Sequence, residues 1–424
     1  MQTTSTAMTS RSDSIRNLAR QGGVPVVKFL IDQIRDRHLK KVSLLAVCPN
    51  SESVARAALH AAKEADAPIL FAATLNQVDT DGGYTGWTPA ELVGYLEITA
   101  ADIGLDTPVL ACLDHGGPWL KDRHTTDKLN FQETMAEVKK SLEACLDAGY
   151  ALLHIDPTVD RTIPGDDPIP IALVVERTVD MMVHAETYRT ANNLPPVAYE
   201  VGTEEVHGGL ANMDSFETFL TKLDEGLKSA GIEEAWPCFV VGKVGTDLHT
   251  TYFEPDMARD LTQRTIPYKA LIKGHYSDYV DNPEDYPLSG MGGANVGPEF
   301  TEEEFKALLE LIGLEKKTGN DSGLYEALEQ AVLNSNRWQK WLFKEEKQLG
   351  FFDLKHERRE WLMRTCSRYI WTETGVMEAR KRLYTNLAPY RDADAYVIWK
   401  IKTAILKYYH SFNLLHFNSR LIEN

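Results

Sequence analysis

An acid and an imidazole, Asp114 and His115, stand side by side at the end of the apolar run Thr107–Leu113 and are followed by Gly116, Gly117 and Pro118. A neutral imidazole is a good ligand for a divalent metal, and a carboxylate beside it can move protons. Successive residues of a strand point to opposite sides. Where a strand gives way to a loop, however, both can turn toward one site. Asp followed by two glycines is also an ordinary turn, and the spacing alone leaves both readings open.

The pattern recurs along the chain. A run ending at Ala72 leads to Asn76 and Gln77 and then to the tight loop Gly82-Gly-Tyr-Thr-Gly86. His154 and Asp156 close another run. Glu200 closes a third, with Glu204, Glu205 and His207 after it. Lys243 follows the next, then Lys273, His275 and Asp278, and Asn295 lies in the last. His115, Glu204 and His275 could therefore converge from three separate strands. Two imidazoles and one carboxylate leave positions open on a borderline divalent ion for substrate or water. Zinc is the first expectation, with manganese, cobalt or nickel as alternatives. Such an ion polarises a carbonyl and stabilises an enediolate, the chemistry of aldol cleavage and sugar epimerisation. Asp114, Asp156, Asp278 and Glu204 are then candidate acids and bases. Asn76, Gln77, Asp156, Lys243, Lys273 and Asn295 are candidate substrate contacts. Plainer readings stand beside these. His154 reads as a core histidine, His207 and His249 as surface loop residues, Glu200 as a side chain facing the helix layer, and the lysines as solvated.

Positioning such a set demands a regular scaffold. The strand-like runs are Val42–Cys48, Pro68–Ala72, Val109–Leu113, Ala151–Ile155, Val197–Val201, Cys238–Val241, Ala270–Ile272 and Ala294–Val296. Helix-like segments between them include Ser51–Ala65, Pro89–Ala100 behind the cap Thr88, Asn130–Ala148, Ile171–Asn192, Ser215–Ser229 and Glu254–Gln263. Thr301 and Glu304 read as a capping box opening Phe305–Ile312. Continuously apolar strands alternating with helices imply a parallel sheet covered on both faces. The count and length match an α/β fold of the TIM (βα)8 type. A doubly wound sheet is the rival, but no Gly-x-Gly-x-x-Gly follows the first strand. The seventh connection, Tyr276–Gly293, is too rich in Pro and Gly for a helix of ordinary length. The organisation expected is a helical lead-in over 1–40, the barrel over 41–315 and a helical C-terminal region over 320–424. In that last region Leu324–Leu349, Lys355–Ile370 and Tyr396–Phe412 are helical in period. Its tryptophans 338, 341, 361, 371 and 399 read as core or interface rather than as a ligand-stacking surface.

Composition bounds the partners. A formal charge of −17 over 424 residues argues against nucleic acid, while a small anionic substrate needs only a few local donors. Five scattered cysteines without CxxC spacing fit free thiols in a reducing compartment. Without a signal-peptide core or a membrane-length apolar run, a cytoplasmic location is expected. A homo-oligomer is expected as well.

Several runs resemble a known family. Thr74-Leu-Asn-Gln-Val78 with Gly82-Gly-Tyr-Thr-Gly-Trp-Thr-Pro89, Asp114-His-Gly-Gly-Pro118, His154-Ile-Asp156, Gly202-Thr-Glu204 and His275-Tyr-Ser-Asp-Tyr279 are similar, in this order, to motifs of the D-tagatose-bisphosphate aldolase GatZ/KbaZ-like proteins. The resemblance implies a class II aldolase-like barrel. It also implies a metal-dependent enzyme that acts on a ketose, ketose phosphate or related acidic sugar, by C4 epimerisation or retro-aldol chemistry. The alternative it carries is a non-catalytic subunit that stabilises a class II aldolase. The positions it marks are Asp114, His115, Glu204, His275 and Asp278. In barrels phosphate often binds near strands seven and eight, so Lys273 and the glycines near Gly292 are the expected anion holders. A kinase is disfavoured, since no Gly-x-x-x-x-Gly-Lys-Ser/Thr loop is present.

Overall fold

Eight short runs with no polar side to turn to water must be covered on both faces, and they are. The computed structural model describes residues 11–36, 41–163, 169–202, 209–247 and 249–423. Strands β1 Leu44–Val47, β2 Ile69–Thr74, β3 Val109–Gly116, β4 Leu152–Ile155, β5 Ala198–Gly202, β6 Phe239–Val241, β7 Leu271–Gly274 and β8 Gly293–Val296 are parallel and close into a barrel in chain order. The fold is a TIM barrel with additional C-terminal helices, and closure rules out the doubly wound sheet. Beyond these strands, Gly209–Leu210 pairs antiparallel with Val244–Gly245, an unforeseen two-stranded ribbon joining the loops after β5 and β6.

The helix layer follows local signals closely. Ser51 accepts from the Val54 amide at the head of Glu52–Ala65, whose alanines lie flat on the barrel. Thr88 and Glu91 form a capping box before Pro89–Asp102, and Asn130 and Glu133 another before Phe131–Asp147. The expected box at Thr301 and Glu304 does not form, because the helix begins earlier, at Pro298 behind Gly297, and runs to Lys317. Thr301 instead accepts from Trp371 Nε1 at 2.8 Å, and Glu304 binds Arg380 Nη1 at 2.7 Å. Between β7 and β8 only one helical turn forms, Asp285–Leu288.

The C-terminal segments depart from the sequence reading. The helix expected over Leu324–Leu349 stops at Ser335, where Asn336 turns left-handed (φ 54°), and 3-10 turns follow at Arg337–Trp341, Lys344–Glu346 and Phe351–Asp353. His356–Cys366 passes into another such turn, Ser367–Tyr369. Thr374–Leu387 forms a helix the periodicity did not reveal, and Ala393–Ser411 packs on Glu52–Ala65 and Pro298–Lys317. No helix of the described residues is long and apolar enough to cross a membrane.

One irregularity sets up the site. Pairing between β3 and β4 shifts register between Leu113 and Gly116, and within the shift His115 takes φ 50°. A bulge re-aims a side chain that regular pleating would turn away. The glycines beyond it allow strands to converge: a Cβ on Gly117 would lie 1.7 Å from the Asp156 carbonyl oxygen. Gly117→Ala is therefore expected to destabilise the fold by about 1–3 kcal/mol, the usual range for overpacking. The check is a lowered Tm together with loss of the Asp156–His115 contact, read from the histidine ring signals in NMR.

Candidate active site

His115 Nε2 and His275 Nδ1 face each other at 3.0 Å. Each ring is held at its other nitrogen by a carboxylate. Asp156 Oδ2 lies 2.5 Å from His115 Nδ1, and Glu200 Oε1 lies 2.8 Å from His275 Nε2. An ionised carboxylate only accepts, so those nitrogens carry protons, and when both rings are neutral the facing nitrogens offer lone pairs. Two lone pairs so close repel unless a proton or a cation lies between them. Asp114 Oδ1 completes a triangle, 3.9 Å from each facing nitrogen. Ligand bonds of about 2.1 Å put tetrahedral donors roughly 3.4 Å apart, so the donor set suits one small divalent ion. His154 joins the cluster, and one donor atom from each of the four residues falls within 4.8 Å of the others. Its Nδ1 already accepts the His115 backbone N–H at 3.1 Å, which makes it the weakest donor; its buried Nε2 has no partner among the described residues.

Behind the rings the barrel interior is charged. Lys273 Nζ donates to Glu200 Oε2 at 2.5 Å, both side chains being sealed from solvent. Burial opposes ionisation of Glu200, but Lys273, His154 and His275 outweigh it and hold the carboxyl at about 2. Asp114 is likewise buried, yet His115 and His275 keep it well below the usual carboxylate range. Burial also disfavours a charged His115, against which Asp114 and Asp156 raise the imidazole to about 9; burial lowers His275. Asp278 behaves oppositely. Burial, reinforced by Glu299, outweighs the backbone donors Glu299 and Gly297 and raises its carboxyl to about 7.

These groups open on a cavity of about 350 Å³ at the C-terminal ends of the strands, where barrel sites are built. Asp114, His115, His275, Asp278, Asn76, Gln77 and Asn295 all line it. Asn76 also braces the loop after β3, donating to Leu120 O and accepting from Asp122 N, while Gln77 ties Thr74 to Asn50. Asn295 has a buried Oδ1 with no partner among the described residues. Asp156 is the support of His115 and is absent from the cavity lining. Glu204, with Glu205 and His207, lies outside the described residues.

Several expectations are corrected. Lys273 does not reach the cavity, because its ammonium is consumed by Glu200. Lys243 does not line it either; its carbonyl accepts from Ala211 N. The glycine at 292 sits at the opposite end of β8, its N–H on Ile272 O, and a Cβ there would lie 2.6 Å from Leu271. Glu200, in turn, faces the barrel interior and not the helix layer. The sequence reading also missed cavity residues from the C-terminal region, Arg337, Lys340, Trp341, Arg368 and Tyr369, together with Tyr84 from the glycine loop. Trp341 thus departs from the core-or-interface reading. Helical periodicity hid these residues, since they sit in the 3-10 turns that interrupt it.

Removing one partner of a sealed ion pair leaves an uncompensated charge. Lys273→Met is expected to cost about 3–5 kcal/mol in denaturant unfolding, and the double variant Lys273→Met, Glu200→Gln distinctly less. Equal losses in the two would show that the pair is not the origin.

The comparisons agree with this architecture. A crystal structure of a probable tagatose 6-phosphate kinase from Sinorhizobium meliloti superposes with a TM-score of 0.73 at 19% identity, over 87% of this chain and 100% of that one. At lower likeness stand a fructose-bisphosphate aldolase from Campylobacter jejuni (TM-score 0.49, 9% identity, 92% and 95% covered) and the YdjI aldolase from Escherichia coli (0.44, 10%, 86% and 98%). The first is a shared fold, and the other two add nothing to it. The family model described as D-tagatose-1,6-bisphosphate aldolase subunit GatZ/KbaZ-like matches residues 30–398, and the chain belongs to that family.

Proposed function

We propose that the chain is a divalent-metal-dependent enzyme acting on a ketose, a ketose phosphate or a related acidic sugar, by C4 epimerisation or retro-aldol cleavage. The observation that carries it is the pair of imidazole nitrogens 3.0 Å apart, each backed by a carboxylate. His115, His275 and Asp114 would hold the ion, with zinc first and manganese, cobalt or nickel as alternatives. When bound, the ion would supply Lewis-acid polarisation of a ketose carbonyl.

The chain's own residues then divide the remaining work. Asp114, far below neutrality, is a weak base and serves as a fixed negative charge. Asp278, at about 7, is matched to proton transfer at cellular pH. Both backbone donors fall on its Oδ1, so Oδ2 is the atom that would take the proton of a substrate hydroxyl. Asn295, whose buried Oδ1 has no partner among the described residues, presents an amide suited to a sugar hydroxyl, while Asn76 and Gln77, engaged with the protein, would shape the same wall. Glu204 remains a proposed ligand or base.

The family's description as an aldolase subunit favours a second reading, in which the chain stabilises a separate catalytic barrel. Assaying the purified chain alone separates the two. C4 inversion or cleavage of a ketose phosphate or uronate without a partner supports the enzyme. Activity only after a second barrel protein is added supports the accessory role.

Metal content gives the first check. About one divalent ion per chain is expected, lost in His115→Ala and in His275→Ala. Asp156→Asn should weaken metal affinity 10- to 100-fold, the usual cost of losing a carboxylate behind a ligand histidine. A chain that stays metal-free when offered zinc, manganese, cobalt and nickel would overturn the proposal. For Asp278 acting as base, kcat/KM should fall as pH drops through about 7. Asp278→Asn should remove that limb and lower kcat by about 10²- to 10⁴-fold.

A further inference from the structure

The cavity carries a second constellation, cationic and remote from the imidazoles in sequence. Arg368 is 7% exposed and lines the cavity, and its guanidinium lies over the rings of Trp341 (4.7 Å) and Tyr369 (4.9 Å). Stacking engages the faces of a guanidinium and leaves its N–H edges for a planar or tetrahedral oxyanion. Tyr369 hydrogen-bonds its side chain and Asp278 feels its charge, but no carboxylate of the described residues forms a salt bridge with it. A buried cation with no carboxylate in contact is costly, so the position points to a ligand. Three more cations share the lining, Arg161, Arg337 and Lys340. Arg337 lies over the rings of Tyr84 and Tyr369, and both it and Lys340 pair with the single carboxylate of Asp122. Four cations against the three acids Asp114, Asp122 and Asp278 leave the lining locally positive on a chain of net charge −17. The other anion holders the sequence offered, Lys273 and the glycine at 292, are both turned away from this cavity.

We propose that Arg368, assisted by Arg337 and Lys340, binds an oxyanion at the end of the substrate away from the reacting carbons, so that the C-terminal region and not the loops after β7 and β8 selects anionic sugars. The inference rests on reading the cavity as a sugar site. The shared ligand chemistry is a phosphate or a carboxylate.

The test is equilibrium binding of inorganic phosphate and of acetate to the full-length protein by calorimetry, at fixed ionic strength. Wild type should bind at least one of them, phosphate preference indicating a sugar phosphate and acetate preference a uronate. Arg368→Met should weaken binding at least tenfold, and Arg368→Lys should recover only part of it, since Lys keeps the charge but not the planar fork. Lys340 is half exposed, so Lys340→Ala keeps the fold even where Arg368→Met does not, and should weaken binding severalfold. Anion affinity should be the same with and without added zinc, which separates failure here from failure of the metal reading. Absence of anion binding in wild type, or unchanged affinity in both Arg368→Lys and Lys340→Ala, overturns the proposal.

Discussion

Two imidazole nitrogens facing each other at 3.0 Å need a proton or a cation between them, and the surrounding barrel holds the rings in that position. Asp156 at the end of β4 and Glu200 in β5 each grip the far nitrogen of one ring. Glu200 stays ionised inside the barrel chiefly because Lys273 of β7 is buried against it, with His154 and His275 adding to the effect. The order of dependence runs from an ion pair in the interior, to a carboxylate, to a ring, to the donor atoms at the mouth. Strands β3, β4, β5 and β7 each contribute one link, which a closed parallel barrel can assemble because all its strands end on the same face.

Backbone geometry supplies what side-chain chemistry cannot. Regular pleating would send Asp114 and His115 to opposite faces. The register shift in β3 and the left-handed His115 bring both to the cavity. Strain of this kind persists where surrounding contacts over-determine it. Here the His115 amide is bound by His154 Nδ1, and the Gly116–Gly117 step lets β3 pass against the end of β4.

The C-terminal region is part of the site because one helix fastens it there. Pro298–Lys317 carries buried acids along its length: Glu299 to the Tyr408 hydroxyl, Glu302 to Thr365, Glu304 to Arg380, and Glu315 to Ser322 and Asn386. These fixed points orient the turns at Arg337–Trp341 and Ser367–Tyr369 over the cavity. Thr301 and Glu304, which look like a local cap in the sequence, serve this long-range docking instead.

Periodicity and capping made the barrel legible: all eight strands and the main helices between them fall where apolar runs and residues such as Ser51, Thr88 and Asn130 place them, because these signals act over a few residues. The same locality picked out Asp114, His115, His275 and Asp278 as polar residues at strand ends. It could not say that Glu200 and Lys273 face inward and neutralise each other, because side-chain direction along a buried strand depends on the register of its neighbours. Nor could it place Arg368 in one cavity with residues at the ends of β1, β2 and β3, since a buried cation hundreds of residues away leaves no periodic trace. The sequence by itself determined the barrel, its helix caps and the ligand-type residues at its mouth. Only the tertiary structure decided which of them meet, which lysine is consumed in the core, and that the C-terminal turns line the cavity, because those outcomes depend on contacts between segments far apart in the chain.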